Sequence, residues 1–312
     1  MQQPNGSLVP SPDVPSPLAA ALRGAVRPAA PFPRDAPFVR AFARVCSDGF
    51  AQGWHEANGG NLSYRLTSDD VAACGDSLAG EPPEGDPAWH VLPPEARVPG
   101  LAGQFLLISR AGCHMRSVAD DLPGSCALVQ VARDGGAWRL ACGLSHGGRP
   151  SSELPTHLLA HAVRLRASAG ADRVVYHAHC PSVIALSTLL PADERAWTRV
   201  LWRCMTECVI VFPEGVGVVP WKVPGSLDIA RASAGLLATH RAVVWTQHGM
   251  FATGRDFDAA FGLMHTIEKA ASLYLTARAA NGGAEPPFLV SDEQLRAVCA
   301  SLGVEPNPAC VD

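Results

Sequence analysis

The stretch CALVQVARDGGAWRLACG, residues 126–143, restricts the fold more than any other. Two apolar runs flank an Asp-Gly-Gly turn, the pattern of a β-hairpin. A hairpin pairs its strands antiparallel, so a wholly parallel sheet is excluded. Around it the chain alternates strands with helices. Phe38 to Gln52 carries Phe38, Phe42, Val45 and Phe50 at helical spacing and closes at Gly53. NGGNLSYRL is a Gly-Gly turn into a short strand with Leu62, Tyr64 and Leu66 on one face, and GQFLLIS is a buried strand. SSELPTHLLAHAVRLRAS is an amphipathic helix, DRVVYHAH a strand, and PSVIALSTLL and ERAWTRVLWRCM are helices. CVIVFP and GVGVVPW are expected as two short strands, SLDIARASAGLLATH as a helix and AVVWTQHG as a strand. A long helix from DFDAAFG and a last one, SDEQLRAVCASLG, with Ser291 as N-cap and Gly303 as stop, complete the order. Hairpins mixed with strand–helix alternation predict one α/β domain, a mixed or antiparallel sheet with helices on its faces.

Residues 1–36, rich in Pro and Ala, form an expected flexible extension, and 37–312 the domain, with a Gly-, Pro- and acid-rich excursion loop over 75–100. With 312 residues, 47% of them hydrophobic, the domain can bury a large core. A net charge of −4 gives no basic surface for nucleic acid. The ten cysteines form no C-x-x-C pair, as expected of reduced core thiols. MQQPNGSLVPSPDVPSP lacks the basic and apolar regions of a signal peptide, and no apolar run is long enough to cross a bilayer. These features point to the cytoplasm and away from membranes.

The chemistry centres on VVYHAH. His177 and His179 are two apart, so on a strand they share a face and can share one metal ion. AVVWTQHG ends in His248, again after an apolar run. Three histidines leave one coordination position open, the arrangement of catalytic rather than structural zinc. His157 and His161, four apart on the SSELPTHLLAH helix, are a competing pair, but they fall within an amphipathic core helix and have no HExxH glutamate. They are expected to be structural. Glu153 stands where that helix starts. It either complements the helix dipole beside a capping Ser151, or serves a nearby metal as general base. NGGN, Asn58 to Asn61, is either a plain turn or a nest of backbone N–H groups for phosphate; SRAGC, Ser109 to Cys113, is a weaker candidate of the same kind.

Taken together, GWHEANGGNLSYRL, SSELPTHLLAH, DRVVYHAHCPSVIALS, TECVIVFPEGVGVVPWKVPG and VVWTQHGMFATG resemble the class II aldolase/adducin superfamily, and within it the branch that cleaves L-rhamnulose 1-phosphate. The resemblance spans roughly residues 40–270. It implies a three-layer α/β/α domain with a central, largely antiparallel sheet. It also implies one Zn2+ per subunit on His177, His179 and His248, with Glu153 as catalytic acid/base. A second acid, Glu207, is implied to reach the site of a neighbouring subunit in a homotetramer whose sites lie between subunits. Asn58, Gly59, Asn61, Ser151 and Ser152 are the implied contacts of the substrate's phosphate and keto end. One departure stands out: where relatives carry a GSG-like loop, this chain has SRAGC. Either Ser109 and Gly112 supply that phosphate contact through a shifted loop or Arg110 takes it over.

The implied reaction is reversible aldol cleavage of a sugar phosphate, L-rhamnulose 1-phosphate, to dihydroxyacetone phosphate and L-lactaldehyde. The other route to aldol chemistry, a Schiff-base lysine, has little support, because Lys222 and Lys269 are the chain's two lysines and neither ends a buried strand. The alternatives are a sister activity on the same scaffold (fuculose-phosphate aldolase, pentulose-phosphate 4-epimerase or methylthioribulose-phosphate dehydratase) and a non-catalytic adducin-like binding module.

Overall fold

The structure, a computed structural model, describes residues 31–83 and 85–311; most of the expected N-terminal extension lies outside the described residues. Nine strands form one sheet: β1 (Asn61–Arg65), β2 (His90–Val91), β3 (Phe105–Ser109), β4 (Cys126–Val131), β5 (Ala137–Gly143), β6 (Val174–Ala178), β7 (Gly217–Val219), β8 (Ala242–Trp245) and β9 (Gly249–Gly254). Their order is β2-β5-β4-β3-β1-β6-β9-β8-β7. Every neighbouring pair is antiparallel except β7 with β8. The Asp-Gly-Gly hairpin is present as β4–β5.

The helices are α1 (Pro37–Ala51), α2 (Ser68–Cys74), α3 (Leu122–Ser125), α4 (Leu154–Ala167), α5 (Pro181–Leu186), α6 (Glu194–Cys204), α7 (Glu207–Val211), α8 (Leu227–Leu236), α9 (Phe257–Ala280) and α10 (Asp292–Leu302). They cover both faces of the sheet. On one face Leu107, Cys126 and Tyr176 share an apolar cluster with Phe42, Trp197 and Leu263 of α1, α6 and α9. On the other, Leu106, Ile108 and Val129 pack on Leu154 and Leu158 of α4. Val175, Val243 and Phe251 pack there on Ile229 of α8. The expected three-layer α/β/α domain with a largely antiparallel sheet is therefore what forms.

Helix ends follow their residue chemistry. Ser291 and Gln294 make the reciprocal capping box of α10, and Gly303 ends it in the left-handed conformation. Asp256 caps α9 and Ser226 caps α8 through their side-chain oxygens.

Four expectations change. Phe50 is 43% exposed and is not part of the core face of α1. CVIVFP is not a strand: α7 runs through it as a single helical turn, burying Cys208 and Val209 against the core. A short apolar run does not distinguish the two states by itself, and packing decides. The 75–100 excursion is less irregular than expected, since β2 adds an edge strand to β5. Finally, AVVWTQHG is not one strand. β8 stops at Trp245, Thr246 to His248 turn, and GMFATG returns as β9. His248 thus sits in a hairpin turn, with its N–H bonded to the Trp245 carbonyl at 3.1 Å.

Candidate metal centre and active site

Antiparallel pairing brings the start of β1, the ends of β3 and β6 and the start of β9 to one edge of the sheet. In the β1–β6 ladder Asn61 lies directly opposite His177, and across β6–β9 His177 lies opposite Phe251. His177 points to the α4/α8 face, its ring centroid 4.5 Å from that of Phe251 and 4.9 Å from that of Trp245. His179 lies just past the strand end, where its N–H donates to the Trp54 carbonyl at 3.0 Å. The hairpin turn delivers His248 from the other side. Gly249 lets the chain pass close here: a Cβ on it would lie 2.3 Å from the Ala178 carbonyl oxygen.

The three rings converge. One ring nitrogen from each of His177, His179 and His248 lies within 4.8 Å of the others. His177 donates Nδ1–H to the Met250 carbonyl at 3.0 Å, which leaves Nε2 as a bare lone pair. That Nε2 and the Nδ1 of His248 are buried without a hydrogen-bond partner among the described residues. Buried polar atoms left unpaired are costly, and a divalent ion is the species that three converging lone pairs can satisfy. Burial first, then the neighbouring imidazoles, holds His177 well below its usual pKa and lowers His248 to about 4. Both rings are neutral, the form that binds metal. His179 pairs its Nδ1 with Glu56 Oε1 at 2.5 Å, an outer partner of the kind that orients a ligand ring. The residues present therefore fit a metal ion.

Glu153 stands at the N-cap of α4, one residue before the first helical turn; its side chain makes no capping bond, and Ser151 Oγ instead accepts its N–H at 3.2 Å. The carboxylate turns inward. Its Oε2 is 3.9 Å from His177 Nε2 and accepts from Asn61 Nδ2 at 2.8 Å. Burial raises its pKa to about 7, and the Asn61 bond works in the opposite direction.

These groups line one cavity of about 290 Å³. Asn58, Gly59 and Asn61 line it together with Ser151, Ser152, Glu153 and the three histidines. The NGGN turn is held open by His55, whose Nδ1 bonds the Gly59 carbonyl at 3.0 Å while its Nε2 bonds Tyr176 Oη at 2.6 Å. Gly60 takes φ +77°, and a Cβ there would lie 2.4 Å from His55. From SRAGC, Arg110, Ala111 and Gly112 reach the cavity. Ser109 does not; it is buried, and its Oγ accepts the Leu62 N–H at 3.3 Å. The Nε of Arg110 is buried without a partner among the described residues.

Glu207 is exposed at the first turn of α7 and does not line the cavity of its own chain. Neither lysine lines it either. His157 and His161 hold no metal position; they are buried and hydrogen-bonded to Asn61 and Ser63. Glu56 was not visible as a site residue, since a glutamate in a surface turn carries no distinguishing signal until the fold sets it against His179. A larger cavity, about 470 Å³, lies under residues 81–97 at the far edge of the sheet, where Arg133 pairs with Glu81, and it holds none of these groups.

The profile of the Class II Aldolase and Adducin N-terminal domain matches residues 40–275. The chain is 38% identical over 274 residues to the rhamnulose-1-phosphate aldolase of Pectobacterium atrosepticum, covering 88% of this chain and 96% of that protein. It is 36% identical over 271 residues to the rhamnulose-1-phosphate aldolase of Listeria innocua, covering 87% and 95%. Among solved structures, a sugar-phosphate aldolase from Thermotoga maritima superposes with a TM-score of 0.59 at 26% identity, covering 79% of this chain and 97% of that one. Fold, converging histidines and near-full-length similarity agree: this chain belongs to the class II aldolase and adducin family.

Proposed function

We propose that this chain catalyses the reversible aldol cleavage of L-rhamnulose 1-phosphate to dihydroxyacetone phosphate and L-lactaldehyde, using Zn2+ held by His177, His179 and His248. The observation that carries the reading is the convergence of three imidazoles beside a buried carboxylate in one cavity. The near-full-length similarity to rhamnulose-1-phosphate aldolases supports the choice of substrate.

The C3–C4 bond of the ketose breaks. The C4 hydroxyl gives its proton to Glu207 of a neighbouring subunit and becomes the aldehyde, and the electron pair left on C3 is held as an enediolate. The metal, when bound, supplies the positive charge that such an anion needs. Glu153 delivers the proton to C3, and takes one from it in the synthetic direction. Its carboxyl, raised to about 7, exchanges protons near neutral pH, where a general acid–base group is most effective. The Asn58–Asn61 turn and the Ser151–Ser152 helix start bind the phosphate and keto end, and Arg110 takes over the contact left by the altered loop. Glu207 of a neighbouring subunit serves the aldehyde side in a homotetramer. The ten free cysteines suit the reducing cytoplasm.

The test is purification without chelator, metal analysis, and turnover assays on L-rhamnulose 1-phosphate, L-fuculose 1-phosphate and a pentulose 5-phosphate. About one equivalent of zinc and a kcat/KM highest for rhamnulose 1-phosphate are expected; preference for another substrate overturns the assignment.

A further inference from the structure

A buried polar line runs behind Glu153, away from the cavity. On β1, Asn61 and Ser63 are two apart and face α4. Glu153 at the N-cap of α4 and His157 and His161 along it are spaced by four and face β1. The two sets interleave. Asn61 Nδ2 donates to Glu153 Oε2 at 2.8 Å, and Asn61 Oδ1 contacts His157 Nε2. His157 Nδ1 lies 2.6 Å from Ser63 Oγ, which lies 2.8 Å from His161 Nε2. All five side chains are buried, and the far end, His161 Nδ1, has no partner among the described residues.

With the Asn61 amide as the structure places it, one assignment of protons satisfies every link. An amide oxygen cannot donate, so His157 carries its proton on Nε2, and its Nδ1 must accept. The accepting Nδ1 takes the single proton of the Ser63 hydroxyl. Ser63 Oγ then accepts, which puts the His161 proton on Nε2 and leaves His161 Nδ1 a bare acceptor, the end found unpartnered. An orphaned acceptor is more tolerable than an orphaned N–H. Every donor in the line therefore points toward Glu153, and burial keeps both imidazoles neutral, holding His157 down to about 3.

From this we infer that His157, Ser63 and His161 are positioning residues for catalysis: they lock the Asn61 amide so that its NH2, not its oxygen, faces Glu153. An amide turned the other way would set a carbonyl oxygen against the carboxylate and drive it from its place beside the histidine triad. None of the three touches the cavity. The inference rests on the proposed role of Glu153 and goes beyond it, by placing the control of that carboxylate one layer deeper in the fold.

The experiment has two arms. In the first, 15N-labelled metal-free protein is examined by imidazole NMR. His157 is expected as the Nε2–H tautomer; an Nδ1–H tautomer overturns the inference whether or not the protein cleaves any sugar phosphate, so this arm separates failure of the line from failure of the functional reading. In the second, zinc-loaded His157→Leu, His157→Gln and Ser63→Ala are compared with the parent chain. His157→Leu should lose about 10–100-fold in kcat, the usual cost of removing an outer-shell partner, with zinc content and KM little changed. His157→Gln, whose amide can still donate to Asn61, should recover most of kcat, and Ser63→Ala should fall between. Equal kcat in His157→Leu and the parent, or equal losses in His157→Leu and His157→Gln, refutes the assignment.

Discussion

At Glu153 two effects oppose each other. Burial raises the carboxyl to about 7, while the Asn61 amide favours its ionised form. The balance leaves a group able to give and take a proton near neutrality. Glu153→Gln keeps the shape and removes the basicity, so kcat should fall by about 10²–10⁴ while the zinc content measured by elemental analysis is unchanged. The buried imidazoles carry a separate consequence. Burial lowers His55 to about 4 and His157 to about 3, against an ordinary value near 6.5. Between those values the unfolded chain binds protons that the folded chain refuses. Their contribution to stability is thus complete above pH 6.5 and is lost as the pH falls below it, by about 1.4 kcal/mol per pH unit for each residue. Urea unfolding at pH 7.5 and 5 should show a marked loss at the lower pH, and the loss should be smaller in His157→Gln. An identical pH dependence in the two chains counts against this account.

At the scale of elements, α5 shows how a distant residue completes a local structure. The helix follows the His177–His179 segment directly, and its N-cap, Cys180, offers no side-chain acceptor. Glu268, from the middle of α9, reaches across and accepts the N–H groups of Ser182 at 2.9 Å and Val183 at 3.0 Å. Glu268→Ala leaves the buried Val183 N–H and the half-buried Ser182 N–H without their acceptor, at a cost of about 1–3 kcal/mol, and should lower the melting temperature measured by calorimetry. An unchanged melting temperature would show that water replaces the carboxylate there. The same scale explains what the pattern of residues missed. CVIVFP has the composition of a strand, yet Thr206 and Glu207 open a helical turn that buries Cys208 and Val209 together. GMFATG lies past the expected strand AVVWTQHG, in a stretch with no expected element, yet it pairs with β6 over Met250–Gly254 and with β8 over Gly249–Ala252.

At the scale of the whole molecule, the proposed homotetramer would set a neighbouring subunit over the cavity. Glu207 is exposed and apart from the histidines of its own chain, as a residue serving a neighbour's site must be in an isolated subunit. If sites are shared, chains carrying Glu207→Ala and chains carrying His248→Ala, each inactive alone, should regain activity when refolded together, toward roughly a quarter of the sites for random mixing in a symmetric ring. Size-exclusion chromatography with light scattering should show an oligomer. A fully active monomer, or mixtures that stay dead, would assign each site to a single chain.

Much of the fold was legible in the residues themselves. The Asp-Gly-Gly hairpin, the helical spacing of α1, α4 and α9 and the caps at Ser291 and Gly303 are local signals, set by backbone geometry and periodicity over a few residues. HAH marked two histidines because strand alternation puts residues two apart on one face, and QHG marked a third because it too closes an apolar run. What lay beyond the sequence was everything that depends on registry between distant segments. That Asn61 stands opposite His177, that Glu56 meets His179, and that His157 and His161 thread a polar line to Glu153 instead of filling an apolar core follow from how β1, β6 and α4 dock. Side chains more than ninety positions apart meet there, and no local pattern encodes such a meeting. The sheet's pairing order decides it.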